Sequence, residues 1–202
     1  MLTSNIKFKN FNIKKTTKIK NFKKEIWFKK IKLIESLKTS YKYSYSKKQI
    51  RKINKSKNFR LIGMGGSTLG AETIYQFLNH KINKKFIFIN NLNSKIRDEE
   101  KKIKATNIII SKSGNTLETI ANSNLLVKGN KNIFITENKK SHLRNLANIL
   151  KAEIIEHKNY IGGRYSVLSE VGMLPAEIMG LNEKKFKRFN YLINNNNFLN
   201  EL

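Results

Sequence analysis

The sequence predicts an α/β fold: a doubly wound, five-stranded parallel sheet with helices on both faces. The first indication is five short apolar runs that recur from residue 58, "FRLIGMG" (59–65), "KFIFINN" (85–91), "TNIIISKS" (106–113), "NIFITE" (132–137) and "AEIIEH" (152–157). Each is too short for a helix and continuously apolar, as a strand buried on both faces must be. The second indication is what lies between them. "TLGAETIYQFLNH", "SKIRDEEKKIK", "TLETIANSNLLVKG" and "SHLRNLANIL" follow the first four runs and carry helical spacing. Strands alternating with helices give βαβ units and hence a parallel sheet.

The remaining elements follow from the same patterns. Residues 1 to about 57 are rich in lysine, with Trp27, Ile31, Ile34 and Leu37 spaced as one face of an amphipathic helix over about 22–38. This stretch is predicted to be a helical cap on the domain that follows. After the fifth run, "NYIGGRYSVLSEVGMLPAEIMGLNEKKFKRFNYLINNNNFLNEL" again has helical spacing. Two helices are expected there, the first kinked or started afresh near Pro175. The "NNNN" run at 194–197 reads as frayed or linker-like.

Composition narrows the function. The 202 residues, 39% hydrophobic, suffice for one domain with a real core. There is no cysteine, so disulfides and thiolate metal sites are excluded. No apolar run reaches the roughly 20 residues of a membrane span, and the start of the sequence lacks the apolar stretch of a secretory signal. A cytoplasmic location is expected. The net charge of +27 raises nucleic-acid binding as one reading. Yet the excess is lysine rather than arginine, spread along the chain beside abundant asparagine and isoleucine. These three residues share A- and T-rich codons, so the charge reads as compositional bias, and no nucleic-acid motif accompanies it.

The chemistry is expected at the strand ends. In an open parallel sheet, ligands bind beyond the carboxyl ends of the strands where strand order reverses. For the common order 2-1-3-4-5 that point lies between strands 1 and 3, whose exits read "GMGGSTLG" (63–70) and "SKSGNT" (111–116). Gly63, Gly65 and Gly66 allow a tight turn and close approach of the backbone, and Ser67 adds a hydroxyl at the helix start. Ser111, Ser113 and Thr116 add hydroxyls across the crevice, and Lys112 supplies charge or points to solvent. Such donors suit the oxygens of a phosphate monoester. Serine, threonine and asparagine are also ordinary helix caps, so either loop alone is equally compatible with a structural role. The pattern does not match a dinucleotide site: Thr68 stands where G-x-G-x-x-G needs its third glycine, and Asn90 and Asn91 stand where a ribose-binding acid belongs. A phosphorylated small molecule fits better than a nucleotide. "GGRYS" (162–166) adds an arginine after two glycines, soon after the fifth strand.

Together, "GMGGSTLGAE", "SKSGNTLET" and "GGRYSVLSEVGMLPAEIMG" resemble the glucose-6-phosphate isomerases, members of the sugar isomerase (SIS) fold group, over roughly residues 58–181. The GGRYS segment is the most specific part. The resemblance implies a flavodoxin-like strand order and cofactor-free, metal-free interconversion of glucose 6-phosphate and fructose 6-phosphate through a cis-enediolate. It places Ser67, Ser111, Lys112, Ser113 and Thr116 around the sugar phosphate, with the backbone of Gly65 and Gly66 in the loop. It places Arg164 beside C1 and C2, where it stabilises the enediolate charge. Glu118 and Thr119 match the family's "ET" and are read as first-turn helix residues.

In that family the glutamate base, the histidine and the lysine of the reaction all follow the GGR segment. The stretch after Arg164 reproduces none of those motifs. Glu170 and Glu177 lie in a helix matching a non-catalytic region, and His80, His142 and His157 are expected to be surface or structural. The expected organisation is therefore a basic helical extension (1–57), an SIS sugar-phosphate-binding domain (58–181) and a helical segment (182–202) opening a missing second domain, in an incomplete gene product of a dimeric enzyme. A catalytically silent SIS module that binds a sugar phosphate is the alternative. No membrane or specific nucleic-acid partner is expected.

Overall fold

The computed structural model describes residues 32–92, 103–128, 131–188 and 190–193. Five strands form one parallel sheet: β1 (Asn58–Gly63), β2 (Lys85–Ile89), β3 (Thr106–Ile110), β4 (Asn132–Thr136) and β5 (Glu153–Glu156). The order is β2-β1-β3-β4-β5, the one assumed from the sequence. β1 pairs with β2 and β3 on its two sides, so strand order reverses between β1 and β3.

The continuous apolar runs are explained by burial on both faces. Ile62, Ile109 and Phe134 lie in register on neighbouring strands. They pack with Leu126, Leu143 and Ala147 into one core layer. Their neighbours Leu61, Ile108 and Ile133 form the next row of the register, point to the opposite face, and are buried too. A buried aliphatic or aromatic side chain contributes about 1.5–3 kcal/mol by leaving water, and β3 and β4 are buried at all five positions.

Among the described residues, four helices frame the sheet: α2 (Leu69–Phe77) after β1, α3 (Leu117–Leu126) after β3, α4 (His142–Ile149) after β4 and α5 (Glu170–Ile178) beyond β5. A shorter one, α1 (Lys47–Ile53), precedes β1. α3 and α4 supply Leu126, Leu143 and Ala147 to the core layer, while α2 packs against α5. Residues 94–102 of the helix expected over 94–104, and the asparagine run, lie outside the described residues; Ile103 and Lys104 are not helical.

Two expectations are corrected. α5 does not start afresh near Pro175 but continues through it, with all nine of its residues buried. Packing on every side outweighs the single hydrogen bond that proline cannot donate. At the other end of the chain, Lys32–Leu37 is a 3-10 helix rather than the end of an α-helix. The Ser36 hydroxyl donates to the Leu33 carbonyl at 2.9 Å, an i to i−3 bond that suits the tighter winding. The rest of that predicted helix lies outside the described residues.

The chain divides into two compact units, Lys42–Glu183 and a second made of Met1–Tyr41 with Lys184–Leu202. The first holds the whole sheet. In the second, the Lys187 ammonium donates to the Lys38 carbonyl at 3.4 Å and lies 4.6 Å from the centre of the Tyr41 ring.

Candidate functional site

The crevice at the switch point is built from three segments that are distant in sequence. β1 ends at Gly63, paired in register with Ile110 at the end of β3, so the loops that follow leave the sheet side by side. Gly65 has φ of +52° and begins a 3-10 turn, Gly65–Ser67, which passes directly into α2. Among the described residues the Ser67 hydroxyl has no hydrogen-bond partner and is only half-buried.

The second loop closes on itself. Ser111 is buried, and its hydroxyl lies 2.9 Å from that of Thr116 while accepting the Gly114 N–H at 3.2 Å. Ser113 accepts the Asn115 N–H at 3.1 Å. Gly114 has φ of +66°, and a Cβ there would stand 2.2 Å from the Ser141 hydroxyl oxygen. That position excludes every side chain on two grounds, left-handed backbone and lack of room. The turn is thus fixed by the start of α4, and the Ser111 and Thr116 hydroxyls are held as a pair.

A contrast among helix starts bears on what these loops are for. α1, α4 and α5 begin on Ser46, Ser141 and Ser169, and each serine oxygen accepts a backbone N–H of its own helix. α2 and α3, the two helices that begin at the crevice, start on Thr68 and Thr116, and neither threonine caps its helix. The first N–H groups of a helix have no partner within it and carry its positive dipole. At these two helices the cap that an anion would replace is missing. Simple capping, the structural alternative for these threonines, is not what their hydroxyls do.

The third segment is the GGR turn. Gly163–Tyr165 forms a 3-10 turn against the β1 loop. A Cβ on Gly66 would sit 2.2 Å from the Gly163 carbonyl oxygen and 2.9 Å from the Arg164 nitrogen, so the two backbones touch. Ser166 fastens them. It is buried, and its hydroxyl reaches the Gly163 carbonyl at 2.6 Å and the Gly66 carbonyl at 3.3 Å. Ser169, the cap of α5, donates in turn to the Ser166 carbonyl at 2.7 Å. The GGRYS motif contains Ser166 without indicating this role. Arg164 itself is exposed, and its guanidinium has no partner among the described residues.

Lys112 does not simply point to solvent. Its ammonium donates to the Asn159 carbonyl at 2.8 Å and lies 3.5 Å from a Glu137 carboxylate oxygen. Glu137 also pairs with Lys139 at 2.6 Å. Burial alone would raise the Glu137 pKa, but the hydrogen bond and charge of Lys139 and the charge of Lys112 hold it below the usual carboxylate range. His157 is buried nearby and lowered by that burial, against the hydrogen bond to the Lys158 carbonyl. His80 and His142 are exposed. Glu170 is fully buried and accepts the Ser44 N–H at 2.9 Å. Glu177 accepts from the Tyr45 hydroxyl at 2.8 Å and pairs with Lys47 at 2.5 Å. Both carboxylates therefore fasten the segment before β1. Glu118 lies in the first turn of α3, as expected.

Comparison with known proteins supplies the context for this geometry. The family model described as phosphoglucose isomerase matches residues 15–199. The glucose-6-phosphate isomerase of Methanocaldococcus jannaschii is 32% identical over 154 residues, covering 71% of this chain and 38% of its own length. That of Campylobacter jejuni is 34% identical over 143 residues, covering 63% of this chain and 35% of its own. The chain thus spans little more than a third of these relatives. A hypothetical protein of Thermus thermophilus shares the fold with a TM-score of 0.62 at 24% identity, over 69% of this chain and 38% of its own. The tagatose-6-phosphate ketose/aldose isomerase of Escherichia coli shares it with a TM-score of 0.53 at 15% identity, over 80% and 46% respectively. Among the described residues, no helix is long and apolar enough to cross a membrane.

Proposed function

The chain belongs to the phosphoglucose isomerase family, and from that premise we propose that its switch-point crevice binds a hexose 6-phosphate and presents the sugar to Arg164. The observation that carries the proposal is the pair of uncapped helices, α2 and α3, meeting at one end of the sheet beneath hydroxyls that cap nothing. In it the phosphate accepts from the first N–H groups of both helices and from Ser67, Ser111, Ser113 and Thr116. Lys112 adds charge at the rim, shared with Glu137. The open-chain sugar then runs from the phosphate towards the GGR turn, because the Gly66 backbone abuts Gly163.

The reaction we propose is that of the relatives: isomerisation of glucose 6-phosphate and fructose 6-phosphate, with Arg164 stabilising the enediolate oxygens as a proton passes between C2 and C1. The proton needs a carboxylate base. Glu170 and Glu177 are committed to Ser44, Tyr45 and Lys47. This favours, as the second reading, an SIS domain (58–181) whose described part binds substrate without turning it over. The homodimer of the family belongs to the same proposal.

Calorimetric titration with fructose 6-phosphate, beside a coupled isomerase assay on the same sample, tests both readings. Binding with turnover supports the isomerase, and binding alone the silent module. Ser67→Ala sharpens the test, since that hydroxyl bonds nothing among the described residues. Stability should hold while affinity falls about tenfold, the loss of one hydrogen bond to a charged group. Unchanged affinity in Ser67→Ala would remove the β1 loop from the phosphate site.

A further inference from the structure

The opposite end of the sheet holds a second feature that the switch-point site does not use. The starts of β3, β4 and β5, with the end of α1 and the segment after it, enclose a recess of about 270 Å³ that includes Ser56, Thr106, Asn132 and Glu153. A neighbouring recess of about 180 Å³ shares Lys55, Ser56, Thr106 and Lys131 with it. Six lysines line the two: Lys52, Lys55, Lys57, Lys104, Lys131 and Lys151. Among the described residues that line them, one carboxylate, Glu153, faces these lysines.

Chain-wide bias does not account for this density. Lysine and arginine together are 41 of 202 residues. Lysine alone is four of the ten residues lining the larger recess and four of the eight lining the smaller. These lysines come from separate stretches of chain that only folding brings together, and none of the six is paired with a carboxylate among the described residues. Like charges gathered without counter-charge oppose the compact state, and a bound anion relieves them. Polar groups stand in the floor beside Ile53 and Ile133. Ser56 and Thr106 share a hydrogen bond of 2.6 Å, and Asn132 continues a buried row in which Arg60 donates to Asn107 at 2.8 Å and Asn107 to Asn132 at 2.8 Å. Hydroxyls and amides beneath a ring of ammonium groups suit phosphate oxygens.

We infer that this basal recess is a second anion site, one that takes a compact polyphosphate. A concave recess of this size favours a small ligand over an extended strand. Six cations facing one carboxylate call for more charge than a single phosphate brings. The recess lies a full strand length from the switch point, about 16 Å for five residues, so the two sites are independent.

The test is calorimetric titration of the whole chain with inorganic pyrophosphate, alone and after saturation with fructose 6-phosphate. The probe should bind with a stoichiometry of one in both cases, and inorganic phosphate should bind more weakly. Lys55→Gln with Lys131→Gln, the two lysines common to both recesses, should weaken it about tenfold or more. Lys42→Gln with Lys140→Gln, which removes the same charge from exposed positions elsewhere, should change it less than about twofold. Equal losses in the two double variants would show general attraction to a basic surface and overturn the inference. So would displacement of the probe by fructose 6-phosphate, or tighter binding of a single-stranded RNA oligonucleotide through Lys55 and Lys131.

Discussion

Gly66→Ala isolates the contact on which the proposed site depends. The added Cβ would stand 2.2 Å from the Gly163 carbonyl oxygen and 2.5 Å from its carbon, where ordinary contact begins at 3.4 Å. Both obstructing atoms are backbone, so no side chain can rotate away, and the β1 loop and GGR turn must part by about 1 Å. Overpacking of this kind costs about 1–3 kcal/mol. Where the free chain relaxes by separating the two loops, binding must bring them back together, and the same energy comes out of the affinity. At 1.4 kcal/mol per decade, fructose 6-phosphate should bind about 5- to 150-fold more weakly. Calorimetry reads the affinity and urea unfolding reads the stability. Gly163→Ala is the matched control: its Cβ would meet nothing within 4 Å and its backbone is not left-handed, so stability should stay within about 0.5 kcal/mol. A Gly66→Ala chain that folds and binds fructose 6-phosphate as the parent does would refute the idea that this contact joins the phosphate loop to Arg164.

Three further predictions concern buried groups outside that contact or beside it. Ser166→Ala leaves the Gly163 and Gly66 carbonyls without their shared donor; stability should fall by about 1–3 kcal/mol in urea titrations, whereas Ser166→Thr, which keeps the hydroxyl, should recover part of it. Tyr45→Phe removes a donor from the buried Glu177 carboxylate and should cost about 1–3 kcal/mol with no change in fructose 6-phosphate affinity; a loss of affinity would place Glu177 in the site. The third is a pH dependence. Burial lowers the His157 pKa from 6.5, so the unfolded chain takes up its proton first as the pH falls. The stability associated with neutral His157 is present above pH 6.5 and is lost on descent through the lowered folded value. Unfolding midpoints should therefore fall between pH 7.5 and the folded value in the parent and respond less in His157→Gln; parallel profiles would contradict the assignment.

The parts of the fold legible in the sequence were those set by local burial. A strand covered on both faces has to be apolar throughout, and "NIIIS" and "NIFIT" could not be amphipathic surfaces. The glycine and serine loops could be placed because each directly follows such a run. What escaped is set by partners distant in sequence. Ser166 and Gly66 are 100 residues apart, and nothing near either residue announces their contact. Lys112 looked free because its carboxylate partner lies at the end of the next strand and is aligned with it only by the β3–β4 register. Pro175 argued for a break, and full burial of α5 overrode it.

Thr116 shows how the same residue type can carry two meanings that only geometry separates. At a helix start, serine and threonine are expected as caps, and Ser46, Ser141 and Ser169 act so. Thr116 occupies the same position in its helix, yet its hydroxyl turns to Ser111. Left uncapped, the start of α3 retains donors that a folded chain usually satisfies itself. α2, across the switch point, is left in the same condition. Such a deficit at one helix could be incidental. Two of them facing one crevice, between loops with glycine at Gly66 and Gly114 where a side chain would collide, are the arrangement on which the proposed phosphate site rests.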